Sequence, residues 1–371
     1  MELTNKSYVP ILKWKRAEHG ALNELTDTVK DTTLPFIELV MPKPRSSLKD
    51  TSINDLYDEV VQIFNTKKLQ EIPREILAVW GSRPIFVDFS LLYPEVKLAA
   101  LKYVTTKAAR LGLNIIPVVN FYDERDFKAV VVNTHRELKN DVCIRISATD
   151  LKNINGVNKS LTSYLKLEGI DESCTYLVVD LKDTGEVGDY SDYKRMVDMS
   201  QQILNLPKWK GFILSAGSFP LDLSECKIDR DNFLARDDWA YWKKQYGRDD
   251  LTRTPTFSDY GIRHPIYVES YQFREPTASV KYTLGNNWWV VKGKKREYKY
   301  FLGAAALLSD DKNFYGETFS SGDKYIAEKA LHYPKYLKDP KIKGTGTTEL
   351  WLKAGLNHHL SVVSGQLSSL V

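Results

Sequence analysis

The amino-acid sequence predicts a (β/α)8, TIM-like barrel followed by a hairpin-plus-helices extension, on three observations. The chain has 371 residues, which suits a barrel of about 250 residues with an appendage of about 100. Seven short, nearly all-apolar runs alternate with helix-sized segments. Strands that read this way are buried on both faces, as parallel sheets require. The first run is followed by Lys13-Trp14-Lys15-Arg16-Ala17 and not by the Gly-rich turn of open nucleotide-binding sheets, which favours a closed barrel.

The runs lie at 8–13, 36–40, 84–89, 114–120, 142–146, 175–180 and 211–215. Between the first two, Ala21, Leu22, Leu25 and Val29 recur at helical spacing, and Leu56, Val60, Val61 and Phe64 do so before the third. An Ala- and Leu-rich helix starting near Glu95 leads into the fourth. A helix over 231–246 precedes the eighth strand, for which 255–259 and 265–269 compete. The former follows that helix after a loop of ordinary length and is preferred. The barrel then occupies 1–270.

Over 271–371 the periodicity changes. Residues 279–284, the turn Gly285-Asn286-Asn287 and residues 288–291 predict a β-hairpin. Helices follow at 298–308 and, capped by Ser321, at 323–330. Pro334, Pro340 and the loop 343–348 break the chain before a last helix over 349–367.

Composition bounds the function classes. Hydrophobic residues at 43% and charged residues at 27% exclude a disordered or fibrous chain. A net charge of +4 is too small to announce a nucleic-acid binder by itself. Cys143, Cys174 and Cys226 are an odd set without CxxC spacing, which points away from structural zinc and towards a reducing compartment. The chain shows no secretory signal pattern and no run near 18 apolar residues, so a cytoplasmic protein without membrane contact is expected.

The strand ends carry the chemistry, because every C-terminal end of a parallel barrel faces one mouth. Those ends read Lys13 with Lys15, Glu38, Asp88, Asn120, Arg145, Asp180, Ser215 and either Asp259 or Glu269. Charges among apolar neighbours are costly unless paired, liganded or wet. Glu38, Asp88, Asp180 and Asp259 form a candidate catalytic set, with Asp88 and Asp180 as ligands for Mg²⁺ or Mn²⁺. Lys13, Lys15 and Arg145 are candidate anion binders, Asn120 and Ser215 further substrate contacts. Such a mixture suits phosphoester hydrolysis. The competing reading is that these groups pair with one another and do nothing else.

Other signals are weaker. His358 and His359 point about 100° apart on one helix, so packing suits them better than a shared metal. The basic run 292–296, with Trp288, Trp289, Tyr298 and Tyr300 around it, could contact nucleic acid but reads more simply as a solvated hairpin end.

In their order, several stretches resemble the phage-type beta protein family of bacteriophages and bacteria. They are YVPILKWKR at 8–16, LPFIE at 34–38, TFSDY at 256–260 and VKYT at 280–283 with Trp289 following. FYGETFSSGD at 314–323 and the stretch from TELW at 348–351 to NHH at 357–359 complete the set. The resemblance spans essentially the whole chain and implies a role in phage–host conflict, without a defined reaction or transferable catalytic residues. It draws attention to Lys13, Glu38, Asp259, Tyr260, Ser321, Asp323 and His359. Ser258 stands where the family pattern leads one to expect glycine. Two functional expectations follow: a metal-assisted hydrolase acting at the barrel mouth on a phosphoester or nucleotide-like substrate, with Tyr260 among its contacts, and a non-catalytic scaffold whose aromatic-rich appendage binds a phage or host protein. Nucleic-acid binding is a third.

Overall fold

The structure, a computed structural model, describes residues 3–46, 51–268, 277–295 and 297–370. Eight parallel strands close a barrel. They are β1 (Tyr8–Lys13), β2 (Phe36–Glu38), β3 (Ile85–Asp88), β4 (Ile115–Asn120), β5 (Val142–Ser147), β6 (Thr175–Asp183) and β7 (Gly211–Gly217). After an intervening strand β8 (Asp231–Ala235), β9 (Thr256–Asp259) pairs with both β7 and β1. The preferred eighth barrel strand is the observed one. Residues 265–268 are irregular, and both Glu269 and the expected 270/271 boundary lie outside the described residues.

Period-two alternation sorts the side chains. Val9, Ile11, Phe36, Phe86, Ile116, Val118, Cys143, Tyr176, Val178 and Ile213 fill the interior. Tyr8, Leu12, Ile37, Val87, Val119, Ile144, Val179, Leu214 and Phe257 face the surrounding helices. Ser52 caps the helix Ile53–Ile63, which passes through a π-turn at Phe64–Lys68 into the helix Leu69–Trp80.

Three local expectations are corrected. Residues 231–235 are not helical. They form β8, which adds antiparallel to β11 (Asn287–Lys295) of the hairpin, while the helix starts at Asp237. The open edge of the hairpin takes up this segment's backbone hydrogen bonds, and Phe233 stacks on Trp289. With β10 (Thr277–Leu284) this makes a three-stranded sheet, so the extension includes a strand contributed from within the barrel sequence. The helix Ser321–Lys338 is capped by Ser320, not Ser321, and Pro334 lies inside it. Proline removes one backbone bond there without ending the helix.

The last helix, Thr348–Ser368, capped by Thr347, buries Leu356, Leu360, Val363 and Leu367 in the barrel's outer core. It packs on β1 and on the helices Arg16–Asn23 and Asp27–Thr32, the place an eighth barrel helix takes. A Cβ at Gly355 would lie 2.7 Å from the Lys281 carbonyl oxygen, so glycine lets this helix touch β10. His358 and His359 rivet it in place. His358 Nδ1 meets Asp323 Oδ2 at 2.8 Å, Nε2 meets the Thr283 carbonyl at 2.9 Å, and the ring stacks on Tyr282. His359 Nε2 meets Asp259 Oδ2 at 3.0 Å, and Nδ1 meets Thr283 Oγ1 at 2.8 Å. Among the described residues no helix is long and apolar enough to cross a membrane.

Candidate functional site

The strand register aligns Lys13, Glu38 and Asp88 in one row and Asp180 with Ser215 in another. Arg145 reaches up from β5 between them. Its Nη1 donates to Glu38 Oε1 at 2.9 Å and to Asp88 Oδ2 at 2.5 Å. Its Nε and Nη2 both donate to Asp180 Oδ2, at 3.0 and 2.6 Å. Lys13 donates to Glu38, Asn120 to Asp88 Oδ1 at 3.2 Å, and Tyr260 to Asp180 at 2.8 Å. Lys182 lies 3.1 Å from Asp180 and 3.9 Å from Glu38. Its backbone is left-handed, with φ 57°, at an irregularity in the β6–β7 pairing. That strained geometry lets a second β6 side chain reach the rim.

The network is neutral, with Lys13, Arg145 and Lys182 against Glu38, Asp88 and Asp180. Its centre is also nearly dry, with Arg145 5% exposed and Asp88 0%, while the Lys182 side chain at the rim is 40% exposed. Burial alone would raise the Glu38 carboxyl, but Lys13, Arg145 and Lys182 outweigh it and bring the pKa down to about 2. Asp180 is likewise held below the ordinary range, with burial opposed by Lys182 and Arg145. Burial lowers Lys13, although Glu38 pulls the other way.

This geometry revises the expected site. Asp88 and Asp180 converge on the Arg145 guanidinium, where a divalent cation between them had been expected. Their oxygens are already engaged, and a bound metal would meet Arg145 as a like charge. Among the described residues no cluster of metal-ligating side chains is present. Asp259 is not part of the rim. As an outward-facing residue it accepts from Tyr8 Oη at 2.6 Å, the Gly261 amide at 2.9 Å and His359. Ser215 is completely buried, and among the described residues neither its hydroxyl nor that of Ser258, its register partner, has a hydrogen-bond partner. Lys15 points away from the cluster, donating to Tyr267 Oη at 3.2 Å.

Lys15 instead lines two adjoining cavities of about 460 and 630 Å³ at the same mouth. Both are bordered by Lys15, Lys43, Arg263, Tyr267 and Lys281. Arg263 is paired with Glu18 at 2.9 Å, and Lys68 with Glu75 at 2.6 Å. Lys15, Lys43 and Lys281 make no ion pair among the described residues. Burial, reinforced by Arg263, lowers Lys15 to about 8. Burial, again with Arg263, lowers Lys281 to about 7. Glu18 and His19 also border the larger cavity; Glu18 Oε2 and His19 Nε2 are themselves buried and lack a hydrogen-bond partner among the described residues. His19 stacks on Trp14 at 4.0 Å between ring centroids, and burial lowers its pKa to about 4, leaving it neutral.

Strand-end reading found the rim but missed Lys182, Glu18, His19, Lys43, Arg263, Tyr267 and Lys281. They come from the end of β6, the helix Arg16–Asn23, loops and β10, where nothing in the local pattern distinguishes them. Of the aromatics read as a possible contact surface, Tyr282, Trp288 and Trp289 are buried, whereas Tyr298 is exposed. Lys292, first of the basic run, donates to the carbonyls of Leu223 and Cys226. Arg296 is outside the described residues.

Fold and mouth together define a closed parallel (β/α)8-barrel protein with a saturated ionic rim beside an open basic cleft. The chain belongs to the Beta protein family, whose model matches residues 8–365. Protein beta of Enterobacteria phage P4 is 23% identical over 365 residues, covering 96% of this chain and 92% of that protein. Among solved structures, two single-substitution variants of the tryptophan synthase alpha-subunit from Pyrococcus furiosus are similar to it. They cover 61% and 60% of this chain and 82% and 81% of their own, at 15% and 14% identity, with TM-scores of 0.36 and 0.35. Likeness at that level carries no functional information.

Proposed function

We propose that this barrel binds an anionic, phosphate-bearing small molecule in the cleft at its C-terminal mouth. One observation carries the reading: Lys15, Lys43 and Lys281 border a cavity of ligand size without an ion-pair partner among the described residues. Pockets of several hundred Å³ that bring a few polar groups together are the usual form of small-molecule sites, and unpaired ammonium groups attract phosphate as point charges. Metal-assisted hydrolysis through Glu38, Asp88 and Asp180 is the less favoured reading, because each of these carboxylates already ends on a cation. The rim network then serves to hold the mouth in shape while the cleft does the binding.

Calorimetric titration with pyrophosphate tests this. Micromolar to submillimolar binding is expected, weakening as salt is raised. Lys15→Ala and Lys43→Ala should each lower the affinity roughly fivefold, about 1 kcal/mol per charge contact near water. Absence of binding, or affinities unchanged in both variants, would overturn the proposal.

A further inference from the structure

We infer that Lys281 is a nucleophilic amine that condenses with an aldehyde or ketone group on the anionic ligand of the cleft, forming an imine. The inference rests on the binding reading above and names the class of ligand: a phosphorylated carbonyl compound.

Three structural features carry it. Lys281 borders both cavities, and the Phe219 ring beside its amine lines the smaller one. Among the described residues its Nζ makes a single hydrogen bond, to the Ile262 carbonyl at 3.2 Å, and lies 4.3 Å from the Phe219 ring centroid. An ammonium group has three donors to satisfy, whereas the neutral amine needs fewer partners and keeps a free lone pair. Finally, the residue is held firmly. β10 is paired along its length with β11, and the Lys281 carbonyl lies against Gly355 of the last helix.

Electrostatics act in the same direction. Burial and the neighbouring Arg263 bring the amine down to about 7, so near neutral pH about half of it is unprotonated. A lysine desolvated beside another cation is the usual way a protein activates an amine.

The step balances without a further reactant. The Nζ lone pair attacks the carbonyl carbon and the C=O electron pair moves to oxygen. Proton transfer gives the carbinolamine, and loss of its hydroxyl with the remaining Nζ proton releases water and leaves C=N. Lys15 and Lys43 would hold the phosphate.

The test uses the full chain with pyridoxal 5′-phosphate, which carries both an aldehyde and a phosphate, followed by borohydride reduction and peptide mapping. One equivalent should reduce onto the peptide containing Lys281, at least about ten times faster than onto any surface lysine. The rate should rise through pH values near 7, not only above 10. Pyrophosphate should suppress it, unphosphorylated pyridoxal should label far more slowly, and Lys281→Arg should abolish it while keeping the positive charge. Label spread evenly over surface lysines, with pyrophosphate still binding, would overturn the imine and leave the anion site standing. Lys281 labelled equally by pyridoxal and its phosphate, with no effect of pyrophosphate, would remove the anion site instead. Because the wild-type map alone decides between these outcomes, the test survives a poorly folding variant.

Discussion

Arg145→Met is expected to destabilise the protein by about 3–5 kcal/mol at neutral pH, the usual cost of removing one partner from a buried ionic cluster. The side chain is close in size, so the loss is electrostatic: Glu38, Asp88 and Asp180 all end on this guanidinium. The pH dependence separates this from simple loss of packing. In the wild type the Glu38 carboxyl titrates at about 2, against an ordinary 4.5. A depressed folded-state pKa contributes stability that is complete above the unfolded value and is lost as pH falls through the folded one. The wild type should therefore lose this contribution between about pH 4.5 and 2. In the variant Glu38 and Asp180 lose one of the cations that hold them low, so they rise and take up protons at higher pH, relieving part of the penalty. Urea unfolding at pH 7 and near pH 4 should show the gap between the two proteins narrowing with acid. A gap below about 1 kcal/mol, or one that does not change with pH, would contradict the electrostatic account.

His359→Leu should cost roughly 3 kcal/mol, from one hydrogen bond to a charged acceptor and an orphaned Thr283 hydroxyl. Burial lowers the His359 pKa although Asp259 opposes it, and His359 in turn helps hold Asp259 low against burial. The pair is therefore a neutral imidazole donating to a carboxylate, with Thr283 donating to Nδ1. This joins the last helix to β9 and β10 at one point, so the loss should be felt first where the helix meets the barrel. Hydrogen exchange over 348–368 should accelerate in the variant before the barrel strands do. Uniform acceleration, or none, would show that the histidine does not pin the helix.

The barrel was legible because its cause is local. Each strand is a short apolar run buried on both faces, and that signature survives in the sequence without tertiary information. β8 was not legible, since residues 231–235 become a strand only by adding to a hairpin about fifty residues later. The rim was half legible. Strand-end polarity located Lys13, Glu38, Asp88, Asn120, Arg145 and Asp180, but it could not say which way each end faces. Asp259 ends a barrel strand as the others do, yet it lies one residue out of phase with the inward positions Ser258 and Tyr260. A one-residue offset sends a side chain to the opposite face. Nor could strand ends show that Arg145 would lie between three carboxylates and pair with each of them. The cleft was not legible, because Lys15, Lys43, Arg263 and Lys281 are brought together from four separate segments.

The central claim is that the mouth recognises an anion through lysines of the cleft and not through a metal held by the rim carboxylates. Pyrophosphate binding measured in EDTA, and again with added Mg²⁺ or Mn²⁺, tests it most directly. The account predicts that binding persists in EDTA and is little altered by Asp88→Asn. Binding that appears only with the divalent ion and disappears in Asp88→Asn would contradict it.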